Sequence, residues 1–263
     1  MHGDQYTYYE LYKALLDYDG AELYADIVRP WLRRQDGERT WLDAFARRSG
    51  SPVPEASVED LWRLYALSRI VELLQLSFMP RVSDKSWGVN PIRPAEYAEF
   101  MGTFGLQKIA QPAFHPFFHE IVSVDPDADD DAPPALMKEC WPGYMLGPMI
   151  VTRAGCAVTA GTRHLTKSIA ENSTMYWAFA RHNRPYTDLS VGWGGNSQWR
   201  TKFRRDYQLD GTLHFNVDAN RHARPREDGL SAQEELELLR HRSFVTCAKP
   251  DDDRWPFDLF HSE

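Results

Sequence analysis

Apolar residues recur at helical spacing through the first third of the chain. Tyr6 to Tyr18 and Ala21 to Arg34 both carry the pattern, with Asp19-Gly20 as a break between them. Pro30 is expected to kink or divide the second segment. Thr40, with Asp43 three residues on, predicts the cap of a short helix ending at Gly50. Ser57 precedes the longest periodic run, Val58 to Phe78. Its apolar positions (Leu61, Leu64, Tyr65, Leu67, Ile70, Val71, Leu74, Phe78) make a stripe wide enough for a central helix.

The pattern then changes. Three prolines and a glycine fall between Met79 and Pro94, and the main boundary is placed there. A short helix, Ala95 to Phe104, follows. From about Ala113, short runs of Val, Ile, Tyr, Phe and Trp alternate with Gly, Pro, Asn and Asp. The predicted strands are Phe117 to Val124, Leu136 to Cys140, Met149 to Arg153, Ala157 to Thr159, Met175 to Arg181, Leu189 to Trp193 and Leu213 to Val217. Ser231 with Glu234 forms a capping box that opens a helix through His241. The fold class expected is α+β: a helical region over residues 1–90, then a strand-rich domain over 91–263 with a C-terminal helix. Many short strands at this spacing suggest an antiparallel β-barrel or sandwich.

Composition narrows the function classes. Of 263 residues, 43% are hydrophobic, 26% charged and 13% aromatic, values that permit a sizeable core. The net charge of -8 argues against nonspecific nucleic-acid binding. No run approaches the ~18 apolar residues of a membrane span. The polar start, Met1-His2-Gly3-Asp4-Gln5, carries no signal-peptide pattern. Cys140, Cys156 and Cys247 are odd in number and widely spaced, which fits a reducing cytoplasm rather than a disulfide framework.

Candidate chemistry gathers in Phe114-His115-Pro116-Phe117-Phe118-His119-Glu120-Ile121, and further on in Gly161-Thr162-Arg163-His164. Histidine and carboxylate side chains suit a divalent first-row metal such as Zn, Fe, Mn or Ni. On a regular strand, however, His115 and His119 stand ~13 Å apart, too far to share one ion. Glu120, next to His119, would face the opposite side. Packed histidines, a metal site and metal-free acid–base chemistry all remain open for these side chains.

The order of these segments resembles the cupin superfamily, in which a histidine-and-glutamate motif is followed by a glycine turn with a second histidine. His115 or His119 with Glu120 would stand for the first motif and His164 for the second, over about residues 114–177. Three residues separate the two histidines where cupins usually have one, and Ser168 stands where an asparagine is expected. The resemblance implies a jelly-roll-like barrel. It also implies a metal-binding protein, with metal-dependent chemistry on a small polar molecule and with His115, His119, Glu120 and His164 as the ligand set. The alternative expectation is a non-catalytic binding protein or an interaction protein of immunity or regulatory type, with a protein partner. No nucleophile elbow occurs, so no catalytic residue is assigned.

Two further stretches carry binding potential. Gly192 to Arg200 places Trp193, Asn196, Gln198 and Arg200 in a glycine-rich loop suited to a polar small-molecule ligand. Arg200, Lys202, Arg204 and Arg205 then alternate with aromatics, the pattern of a strand with one charged, solvated face. Asp125 to Asp131 lacks the glycine and glutamate of a calcium loop and is expected to be a solvated loop.

Overall fold

Ser57 caps the strongest predicted helix as its sequence requires. Its hydroxyl accepts from Asp60 N, and the Asp60 carboxylate accepts from Ser57 N, closing the capping box. The computed structural model describes residues 5–48, 50–79, 88–173, 202–223, 229–248 and 258–263. Within these the fold is α+β, with helices α1 (Gln5–Asp17), α2 (Arg29–Leu32), α3 (Asp36–Ala46), α4 (Val58–Gln75), α5 (Pro94–Thr103), α6 (Lys167–Asn172) and α7 (Ala232–His241).

The chain divides into two units. One comprises Met1–Gln107 and Tyr176–Phe203, the other Lys108–Met175 and Arg204–Glu263.

The first unit is helical among its described residues. α4 buries residues around most of its circumference, including Leu61, Leu64, Leu67, Ile70, Val71 and Leu74, as expected of a central helix. Trp31 packs its ring against Tyr8, Phe100 and Phe104. Buried Glu38 accepts from Tyr8 Oη at 2.9 Å and pairs with Arg63.

One local expectation fails here. α3 starts at Asp36, so Thr40 lies inside the helix and returns its hydroxyl to Asp36 O at 2.9 Å instead of capping. Pro30 divides its segment as expected: a π-type turn over Tyr24–Val28 gives way to α2, whose first turn holds Pro30 where no intrahelical N–H bond is lost.

The second unit carries β2 (His119–Pro126), β3 (Ala135–Trp141), β4 (Tyr144–Leu146), β5 (Met149–Thr152), β6 (Ala154–Ala160), β7 (Tyr207–Leu209), β8 (Thr212–Phe215) and β9 (His261–Ser262). The short β1 (Gln107–Lys108) stands at the division. The strands form a six-stranded sheet in the order β1-β4-β5-β7-β8-β9 and a three-stranded sheet in the order β2-β6-β3. Among the described residues these sheets do not close into a barrel. One pairing also departs from the antiparallel expectation, because β2 runs parallel to β6, with His119 opposite Ala154 and Glu120 opposite Gly155.

Ile121, Val124, Cys156 and Val158 form a core on the small sheet. Phe117, Phe118, Ile150, Phe215 and Leu259 form another beside the large one. Gly155 is required where it stands, because a Cβ there would lie 2.2 Å from the Trp141 ring. α7 opens with the predicted Ser231–Glu234 capping box and ends at Arg242, whose φ of 58° is left-handed. No described helix is long and apolar enough to cross a membrane. The predicted strands Met175 to Arg181 and Leu189 to Trp193 lie outside the described residues.

Candidate functional site

Pro116 shapes the histidine segment. The chain turns at His115, where Phe118 N and His119 N both donate to His115 O at 3.0 and 2.9 Å, and β2 begins only at His119. The strand spacing expected between the two histidines therefore does not apply. His119 Nδ1 lies 3.1 Å from His115 N and 3.2 Å from His115 O, so the ring is fixed by backbone in either tautomer. Burial lowers the His119 pKa against these backbone bonds. His115 Nδ1 accepts from Phe117 N at 3.1 Å, and its Nε2 faces Glu263 at 3.6 Å. Burial lowers its pKa as well, with Glu263 opposing.

His164 is elsewhere. It follows β6 and bonds Asp131 O at 3.1 Å, beside Thr162 on Asp130 and Arg163 on Asp131. Register places His119 opposite the first residue of β6, while His164 lies beyond the last, Ala160. Six strand residues separate those ends by about 20 Å. The acidic segment is thus exposed but tied down by the turn that carries His164. Glu120 turns to Arg242, whose Nη1 donates to Glu120 Oε1 at 3.3 Å. His115 and His119 are brought together through main-chain atoms; His164 and Glu120 do not join them. Among the described residues no three His, Cys, Asp or Glu side chains converge to hold a metal ion. Trp193, Asn196, Gln198 and Arg200 lie outside the described residues.

The dense polar site of this unit is built instead on arginine. Arg153 occupies the single position between β5 and β6, where the chain leaves the large sheet for the small one. Its side chain is fully buried. Nε donates to Phe117 O and Nη2 to Asp206 Oδ2, each at 2.8 Å. Asp206, just before β7, also accepts from Arg204 Nε at 2.8 Å and Asn216 N at 2.7 Å. Arg204 and Arg153 therefore grip opposite oxygens of one carboxylate. Arg205 is buried and the Arg204 side chain is 7% exposed, whereas Lys202 is exposed, so the expected solvated face holds at Lys202 and is corrected at the two arginines. Arg205 turns to Asp218, with Nε donating at 2.8 Å.

The electrostatics follow from burial and sign. Burial pushes the Arg153 guanidinium down to about 9, with Arg242 adding to the effect and Asp206 opposing it. Burial likewise lowers Arg204, against Asp206. Burial acts to raise Asp206, but Arg204, Arg153 and Arg242 outweigh it and hold its carboxyl below the ordinary range.

Hydrogen bonding is incomplete. Arg204 Nη1 and Nη2, Arg153 Nη1 and Glu120 Oε2 are buried with no hydrogen-bond partner. Such groups are costly when left unmet, by about 1–3 kcal/mol each and more for charged ones. The two terminal nitrogens of a guanidinium form the fork that matches the paired oxygens of a carboxylate or phosphate.

Comparison with protein-family models, with curated proteins and with solved structures finds no match.

Sequence reasoning passed over Arg153 because a lone arginine in an apolar run carries no signal of its own. Arg204 stood in a visible basic run, but alternation alone could not separate a solvated face from a buried one.

Proposed function

We propose that this chain binds a small anionic molecule in its second unit, at Arg153, Arg204 and Arg242, with Asp206 and Glu120 as fixed counter-charges. The carrying observation is Arg204: Asp206 holds its Nε, while Nη1 and Nη2 are buried and unmet. Asp206 is already shared between two arginines and cannot satisfy that outer edge. An incoming oxyanion supplies two acceptors in matching geometry. The binding part of the expected function, a small polar ligand, is kept and moved to this site.

A metal-centred, cupin-like reading gains no comparable support, because the His119 ring is engaged by backbone and His164 stands at the other end of the small sheet. A protein-docking reading gains no comparable support from the described residues, where the large apolar side chains exposed are Val58 in the first unit and Met137 in the second.

Isothermal titration of the full chain with inorganic phosphate and with acetate tests the proposal. Saturable binding of at least one probe is expected, weakened tenfold or more by Arg204→Lys, which keeps the charge beside Asp206 but loses the fork. No saturable binding of either probe, or binding indifferent to Arg204→Lys, would overturn it.

A further inference from the structure

His115 and His119 answer a proton differently. His119 Nδ1 lies 3.1 Å from His115 N and 3.2 Å from His115 O. Bare, it accepts from the first; protonated, it donates to the second. His115 has no such choice. Phe117 N, which can only donate, stands 3.1 Å from His115 Nδ1. That nitrogen is therefore bare, and the proton of the neutral ring sits on Nε2. An imidazolium carries hydrogen on both nitrogens and has nothing to offer Phe117 N.

The bond matters because of what Phe117 holds on its other side. Phe117 O accepts from Arg153 Nε at 2.8 Å, and both residues are buried. One residue thus joins the histidine turn to the arginine site, with His115 on its N–H and Arg153 on its carbonyl. The His115 side chain is 30% exposed, so a ring that lets go of Phe117 N has a way out to water.

The surroundings keep the extra proton off the closed ring. Burial is the first cause, with Arg240 on α7, His119 on β2 and Arg153 adding to it and Glu263, after β9, opposing. Glu263 is shared, since its carboxylate takes Arg240 at 2.9 Å and faces His261 at 3.4 Å. The buried His241 on α7 also feels the charge of the His115 ring. The closed ring therefore titrates below the ordinary value of about 6.5, which a ring turned out to water recovers.

We propose that His115 is a proton-operated latch: its neutral ring holds Phe117 N and steadies Arg153, and a proton releases both. What the latch regulates rests on the anion-site reading; the latch itself does not. The open form takes the proton first as pH falls. The latch is closed above about pH 6.5 and opens increasingly below it, by up to about tenfold per pH unit for one proton.

Hydrogen exchange on the full chain, followed by NMR at Phe117 N and Arg153 Nε, tests the latch. The His115 ring is tracked in the same samples by its nitrogen shifts. Corrected for the intrinsic pH dependence of exchange, protection at both sites is expected to fall below about pH 6.5 in step with protonation of that ring. His115→Asn supplies the comparison. Its side-chain oxygen accepts from the N–H two residues on and takes no proton in this range, so protection should stay level. Level protection at Phe117 N in the native chain overturns the latch, as does a fall out of step with the His115 ring or a native-like fall in His115→Asn. A fall at Phe117 N with Arg153 Nε unchanged overturns the link to the arginine site. The native chain carries the decisive comparisons by itself, so a variant that fails to fold does not remove the test. Absence of phosphate and acetate binding would overturn the anion-site reading and not the latch.

Discussion

Arg153 and Asp206 meet in a 2.8 Å ion pair whose side chains are 0% and 3% exposed. Removing one partner of a buried pair leaves an uncompensated charge, at a cost of about 3–5 kcal/mol. Here the carboxylate serves two arginines. Asp206→Asn is expected to destabilise the second unit by at least that range, read by urea unfolding. A loss below about 1 kcal/mol would show that water already screens the pair.

His241 makes stability depend on pH. Its ring stacks on Phe114 at 6.3 Å, and burial, with Arg240 and Arg153 adding to it, pushes its pKa down to about 3. The unfolded chain takes a proton near the ordinary histidine value of about 6.5. Between those values the unfolded state binds the proton and the folded state does not. The stabilisation is complete above about pH 6.5 and is lost progressively as pH falls toward 3. His241 keeps a partly exposed edge, so the loss is expected to be on the order of 1–3 kcal/mol rather than the full shift. His241→Phe should flatten that part of the stability profile, and an unchanged slope would refute the assignment.

Gly155→Ala should disrupt the small sheet. The added carbon would fall within 2.2–2.3 Å of three Trp141 ring atoms, and Trp141 is itself fixed by Nε1 donating to Arg153 O. The expected loss is about 1–3 kcal/mol or more, read by thermal unfolding with Trp fluorescence. A double variant that also shrinks Trp141 should recover part of the loss from the Gly155 change.

Two hydroxyl deletions separate a true helix cap from an apparent one. Ser57→Ala removes the bond to Asp60 N and should cost about 1 kcal/mol. Thr40→Ala removes only a bond to Asp36 O within the helix and should be within about 0.5 kcal/mol of neutral. Paired chemical denaturation curves would show the contrast.

That contrast explains how much of the fold was legible in the sequence. Ser57–Asp60 and Ser231–Glu234 are signals complete within four residues, and both helices begin where they say. The strand runs at Met149 and Leu213 were legible because β-branched and aromatic residues cluster there. β4 and β7 were passed over because three-residue strands barely alternate, and the first follows the turn-like Pro142-Gly143. The site was less legible than the fold. His115 and His119 could be seen as chemistry-bearing residues, but the turn at Pro116 that sets their geometry runs against the strand pattern of their neighbours. The Arg153–Asp206 pair joins positions 53 residues apart, and nothing local to either one announces the other.

The β2-β6-β3 order of the small sheet carries a cost in time. Strands β2 and β3 are consecutive in the chain, yet both depend on β6, which is made last. On a ribosome adding ~5–20 residues per second, β2 is complete roughly 2–7 s before residue 160 exists. Through that interval Ile121, Val122 and Val124 have no sheet to join. The nascent chain is most open to misassociation then, and it is the stage at which a chaperone would most improve the yield of folded protein.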